Sequence, residues 1–299
     1  MAVYQRTYQR YTGPLLSLNT RLLALARFTD EDMRKSRILG PVFYVGLLWP
    51  LVSLLIVYLH HNLDALRLMD IGVNQLLAID KRFFYVFLSF QSTISFFVAA
   101  LAGPGLISPD LSNGALATIL ARPVRRTDYV LGRMLPLAIM LSLITWVPGL
   151  LVFWLQSALV GWDWFAANWR IAFGLVVGGL LWVAILSLMA IALSAWVKWK
   201  PVAGALMFAV FFIAATVGEI LNELLETRWG HLINMRTLMA TAWAWLIEGQ
   251  ATGGSGFGLF YVFENQEIPV ASAFAMLALF CALCIRLLAI RIRGVEVVR

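Results

Sequence analysis

Long apolar runs alternate with short polar islands along this chain, and the run lengths decide its class. Six runs, near 38–59, 83–107, 129–155, 171–197, 201–221 and 269–290, each reach the roughly 20 residues that a helix needs to cross a bilayer. The pattern predicts an all-α integral membrane protein: a polar N-terminal region over 1–37, then a six-span domain over 38–299. Within the first region Pro14 opens a helical pattern in which Leu15, Leu18, Leu22 and Leu25 form one stripe. This is either an amphipathic helix lying in the interface or a charged tail that sets orientation. Thr29 is expected to cap a second turn, with Asp30, Glu31 and Asp32 at its positive end and Arg34, Lys35 and Arg37 at its negative end. Between the fifth and sixth runs, 238–247, with Trp243 and Trp245, reads as an interfacial or re-entrant helix, and Gly253, Gly254, Ser255 and Gly256 as a flexible turn.

The island between the second and third runs carries the strongest local signals. Ser108 suits an N-cap, Pro109 the first helical position and Asp110 the positive end of the helix dipole, so a short helix is expected over 109–120. Pro123 stops it, and Thr127 with Asp128 is expected to cap the helix that re-enters the third run. Leu111, Ala115, Leu116, Ile119 and Leu120 fall at helical spacing and give the short helix an apolar face with nothing of its own to bury it.

Composition sharpens the class. Hydrophobic residues make up 61% of the chain and charged residues 13%, about half the soluble average. No cleavable signal peptide is expected, because the first 35 residues hold no long apolar core. The net charge of +7 is concentrated beside the apolar runs, and 17 of the 23 Lys and Arg fall on one side if the N-terminus is cytoplasmic. The excess therefore reads as the positive-inside bias and contact with anionic lipid, not as nucleic-acid binding. Cys281 and Cys284, within the last run and without nearby His, read as packing residues. No metal site is expected: His60, His61 and His231 lie in connections, and adjacent helical histidines do not face each other.

In the second run Gln91, Ser92, Ser95, Ala99, Ala102 and Gly103 form one small, polar face, which is either the wall of a pathway or a site of tight helix packing. Pro50, Pro136 and the Pro148-Gly149 pair each permit a kink. Gly174-x-x-x-Gly178 allows close helix approach, inside the subunit or to a partner. Glu219, Glu223 and Glu226 form an acidic row, an attractor of cationic cargo or a solvated helix end.

The residues of the central island resemble the cytoplasmic loop of ABC-2 type permeases, the membrane subunits of many ATP-binding-cassette exporters. The matching positions are Gly114, Leu116, Leu120, Pro123, Val124, Arg126, Asp128, Tyr129, Leu131, Gly132 and Arg133; Asp110 stands where the family often has Glu, and Ala117 where it often has a second. The six-run topology and the basic N-terminal helix extend the resemblance over nearly the whole chain. It implies that this loop is a coupling helix docking on an ATPase through Asp110, Leu111, Asn113, Gly114, Leu116, Leu120, Pro123, Val124, Arg125 and Arg126. It also implies two ATPase subunits that carry the ATP and Mg, a second permease copy, and a bacterial plasma-membrane location with both termini cytoplasmic. The cargo implied is amphipathic or lipid-like.

The chain has no Gly-x-x-x-x-Gly-Lys-Ser/Thr phosphate loop, so ATP hydrolysis belongs to another polypeptide and no catalytic residue is assigned here. No charged group sits near the centre of any run, which favours energy supplied from outside the membrane over ion coupling. Two alternatives remain at this stage. One is a membrane-embedded enzyme acting on lipid, with its site between the fifth and sixth runs; the other is a scaffold subunit of an ATP-driven envelope complex.

Overall fold

A computed structural model describes residues 18–62, 78–115, 119, 125–226, 228–249 and 268–292, and these residues form helices and turns with no strand among them. Helix α1 (Leu18–Arg34) precedes α2 (Leu39–His61) and α3 (Lys81–Ala102), which leads through a 3₁₀ turn at Gly103–Gly105 into the short α4 (Ser108–Ser112). Next come α5 (Arg126–Ile144), α6 (Trp146–Val160), α7 (Trp162–Trp196), α8 (Lys200–Leu225), a 3₁₀ turn at Trp229–Leu232, α9 (Met235–Ile247) and α10 (Val270–Arg291). Six segments are long and apolar enough to cross a membrane: Leu39–His61, Lys81–Ser112, Arg126–Val160, Trp162–Trp196, Lys200–Leu225 and Val270–Arg291. The chain is thus an integral membrane protein by length and composition.

The second and fourth spans are the centre of the bundle, while the first, fifth and sixth turn much of their surface outward. Since lipid tails are as apolar as leucine, these helices associate through packing and polar bonds rather than hydrophobic exclusion. Aromatic rings supply much of the packing. Phe96 meets Phe211 at 4.5 Å and Phe208 at 5.2 Å between centroids, and Trp182 lies edge-on to Trp243 at 5.8 Å. Small residues admit close crossings. A Cβ on Gly103 would sit 2.5 Å from that of Ala190, and one on Gly132 would sit 2.8 Å from that of Leu25, which fixes where the turn after α3 meets α7 and where α1 crosses α5.

Gln91 solves a problem that the prolines create. A proline at position i leaves the carbonyl at i−4 without its helical donor, so Pro50 orphans Gly46 and Pro148 orphans Ile144. Gln91 Nε2 donates to both of these oxygens, at 3.0 Å to Gly46 and 2.8 Å to Ile144. One buried amide of α3 thereby ties the first span to the third at the two points where their backbones are incomplete. The third span breaks there: Thr145, at φ −89 and ψ −89, separates α5 from α6. The sequence reading of a kinked single run becomes two helices meeting at Gln91.

The 174–178 glycine pair packs within this chain. Gly174 accepts the Leu246 and Ile247 backbone, Gly178 accepts the Trp243 ring, and Trp243 Nε1 donates to Gly178 O at 3.0 Å. Helix α9 is buried along nearly its full length between α7, α10 and α3. Arg170 closes its end by donating to the Trp245 and Leu246 carbonyls, which have no partner inside the helix.

Several local expectations are corrected. Helix α1 runs unbroken through Thr29, whose hydroxyl donates to Leu25 O at 2.9 Å and so stays within the helix instead of capping a new one. Ser108 donates to Lys198 O, leaving Ile107 in the cap position of α4. Helix α5 starts at Arg126, ahead of Thr127 and Asp128, with no side-chain cap bond; Asp128 instead lies in its first turn. Pro14, Leu15 and the 253–256 turn lie outside the described residues.

Candidate docking loop and its anchorage

The central loop is built on α4. The helix expected over 109–120 ends at Ser112, because Asn113 and Gly114 turn the chain: Asn113 N donates to Pro109 O at 3.0 Å and Gly114 takes the left-handed φ of 66° usual just beyond a helix end. Helical geometry resumes at Ala115 and Ile119, so the expected face is split by a corner. Asn113 and Gly114 are exposed at that corner, and Leu111 is half-buried against the bundle. Arg125 and Arg126 are exposed at the start of α5. Leu116, Ala117, Leu120, Pro123 and Val124 lie outside the described residues.

Beneath the corner the loop is fixed by a buried polar cluster. Asp110 Oδ2 accepts from Arg133 Nη2 at 2.5 Å and from Tyr129 OH at 2.6 Å. Arg133 Nη1 donates to Thr29 Oγ1 at 3.3 Å, and the guanidinium lies over Phe28 and Tyr129 at 5.7 and 5.8 Å from the ring centroids. The ion-paired side chains are only 5% and 14% exposed, so the charges hold each other with little screening by water. Asp110, expected as a docking contact, points inward and joins the loop to α5 and, through Arg133, to α1.

A second anchor lies on the α7 side. Ser194 Oγ accepts from both Ile107 N and Ser108 N at 2.9 Å and donates to Pro104 O at 3.0 Å, while Ser108 Oγ donates to Lys198 O at 2.5 Å. Hydroxyls thus satisfy the backbone groups of the turn entering α4, which would otherwise be buried unpaired. Three of the motif positions acquire a physical role: Tyr129 and Arg133 hold Asp110, and Gly132 lets α1 cross. Sequence reasoning missed the bonds made by Thr29, Ser194 and Lys198, whose partners lie 104, 86 and 90 residues away, a pairing with no local signature.

The three polar residues of the second span are fully buried. Gln91 bridges the two spans as described; Ser95 Oγ accepts from Trp182 Nε1 at 2.8 Å and donates to Ser92 O at 2.8 Å. Both sets of bonds run to neighbouring helices or within α3 itself.

At the opposite end of the bundle the acidic row is divided. Glu219 pairs with Arg236 at 3.3 Å, Glu223 lies exposed on α8, and Glu226 is beyond its end at φ 49°. Nearby, His231 is buried in the Trp229–Leu232 turn, and burial lowers its pKa from the ordinary value, with Glu219 opposing that shift and Arg228 adding to it. Among the described residues no three His, Cys, Asp or Glu gather as a metal site. No known family's sequence profile matches this chain, and no curated protein matches it in sequence.

Proposed function

We propose that the chain is the membrane subunit of an ABC exporter of the ABC-2 type, working as a dimer with a second copy of itself and driven by two copies of a separate ATPase that carries the ATP and Mg. In this reading the loop end faces the cytoplasm with both termini, α1 lies along the membrane surface and α9 re-enters from the outside. The observation that carries the proposal is the Asp110–Arg133–Tyr129–Thr29 cluster. The cluster stabilises the loop, and it also makes the loop rigid with respect to two helices. Pinned to α1 and α5 by this cluster and to α7 by Ser194, a push on the exposed corner at Asn113 and Gly114 moves three elements together. That is what a coupling element requires: nucleotide-driven movement of the ATPase is passed to the spans without being absorbed by the loop. The cargo, by the family resemblance, is amphipathic or lipid-like.

Affinity purification of the tagged full chain from its host in mild detergent, followed by an ATPase assay, tests the proposal. A stoichiometric ATPase is expected with the native chain and is lost with Asn113→Trp, which alters an exposed corner without touching the buried anchors. A native chain that purifies free of any ATPase, under conditions that keep known complexes whole, refutes it.

A further inference from the structure

A cavity of about 520 Å³ opens at the loop end between α1, the first span, the second span and α8. Its walls are apolar, with Met33 and Leu39 on one side and Leu101, Ala205 and Phe208 on the other. Leu101 is 48% exposed and Ala205 is exposed, so the cavity communicates sideways with the surface that the second and fifth spans turn toward lipid. Two cations line it, one buried and one exposed. Arg133 lines it, is only 4% exposed, and keeps its Nε buried with no acceptor although its other nitrogens are bound. Lys200 also lines it, with Nζ folded over Gly105, 3.9 Å from where a Cβ there would stand.

Among the described residues the charges leave one positive unit over. Asp110 balances Arg133, and Asp32, the carboxylate at the rim, is paired with Lys35 at 3.4 Å. Lys200 has no ion-pair partner among the described residues, and it stands in the first turn of the 26-residue α8, where the helix dipole adds further positive potential. An apolar crevice open to the lipid flank, lined by one cation unpaired among the described residues and one unused buried guanidinium donor, matches a ligand with an acyl chain and a phosphodiester headgroup of net negative charge.

We propose that this cavity seats one anionic phospholipid from the leaflet on the loop side, its phosphate at Lys200 and Arg133 and an acyl chain along Leu101, Ala205 and Phe208. The site touches the loop's own anchor, since Arg133 serves both, so lipid occupancy stiffens the cluster that holds Asp110. The proposal needs only that the bundle is embedded in a membrane and does not depend on an ATPase partner.

Native mass spectrometry of the delipidated full chain tests it, with dioleoylphosphatidylglycerol, dioleoylphosphatidylcholine and glycerol 1-phosphate as probes. One phosphatidylglycerol is expected to stay bound at activation energies that strip phosphatidylcholine. Lys200→Gln is expected to weaken it about fivefold, the loss set by one lysine near an anionic surface, and Ala205→Trp to remove it by filling the acyl path. Leu101→Trp blocks the same path from the opposite wall, so misfolding of one variant leaves the test intact. Equal retention of both lipids, or retention unchanged in all three variants, overturns the proposal. Binding of glycerol 1-phosphate as tight as that of the lipid also overturns it, because the site then takes soluble phosphates.

Discussion

Replacing Gln91 by Met keeps the side-chain volume and removes both hydrogen bonds that this amide makes to the carbonyls freed by Pro50 and Pro148. Interhelical hydrogen bonds inside membrane bundles average about 0.6 kcal/mol and reach about 1.7. Two of them are therefore worth about 1–3 kcal/mol. The loss is partly offset, because Gln91 Oε1 is buried without a partner and the substitution removes it. A net cost of about 1–2 kcal/mol is expected, read from the loss of helicity as SDS is titrated into mixed micelles. A double-mutant cycle gives the sharper test. Pro50→Ala returns an N–H to Gly46 O, so in that background Gln91→Met is expected to cost less by the value of one bond, about 0.6–1.7 kcal/mol. Pro148→Ala has the same effect through Ile144. Equal cost of Gln91→Met in all three backgrounds refutes the assignment of this residue to the proline carbonyls.

Asp110→Ala leaves Arg133 buried without its counter-charge and is expected to destabilise the chain by about 3–5 kcal/mol, measured by the same titration. Gly178→Val pushes a side chain into Trp243, whose Cδ1 lies 2.7 Å from the Cβ position, and is expected to cost about 1–3 kcal/mol and open α9 to proteolysis. His231 is held below its ordinary pKa, so the unfolded chain takes up a proton first as pH falls below about 6.5. Stability conferred by neutral His231 is thus complete above that pH and declines below it; the decline is expected to be shallower in His231→Gln when thermal midpoints are compared between pH 7.5 and 5.5.

The spans were legible because membrane crossing is written in length and apolarity, both local properties. The bends were half legible. Pro50 and Pro148 announce that two carbonyls lose their donors, and Gln91 is an amide at comparable depth, but nothing local says that Gly46 and Ile144 converge on it. The loop was harder to read. Asp110 and Arg133 stand at its two ends with opposite charge, yet an acid beside a helix start reads equally well as a dipole partner or a surface contact; only the fold brings the two side chains together. The break at Asn113 and Gly114 was missed because a continuous helical pattern of apolar residues outweighed an Asn-Gly pair that favours a turn. Thr29 misled for a related reason: its hydroxyl satisfies a carbonyl in its own helix as readily as it caps a new one.

Helix α9 imposes an order of assembly. It is enclosed by α7, made before it, and by α10, made after it, and its terminal carbonyls rest on Arg170. At 13 residues it is too short to cross a bilayer alone. During synthesis α9 can pack on α7 first, and Val270–Arg291, made last, closes the slot around it. A defect in α10 would surface first as an unseated α9, a form that a membrane protease can recognise before the spans themselves come apart.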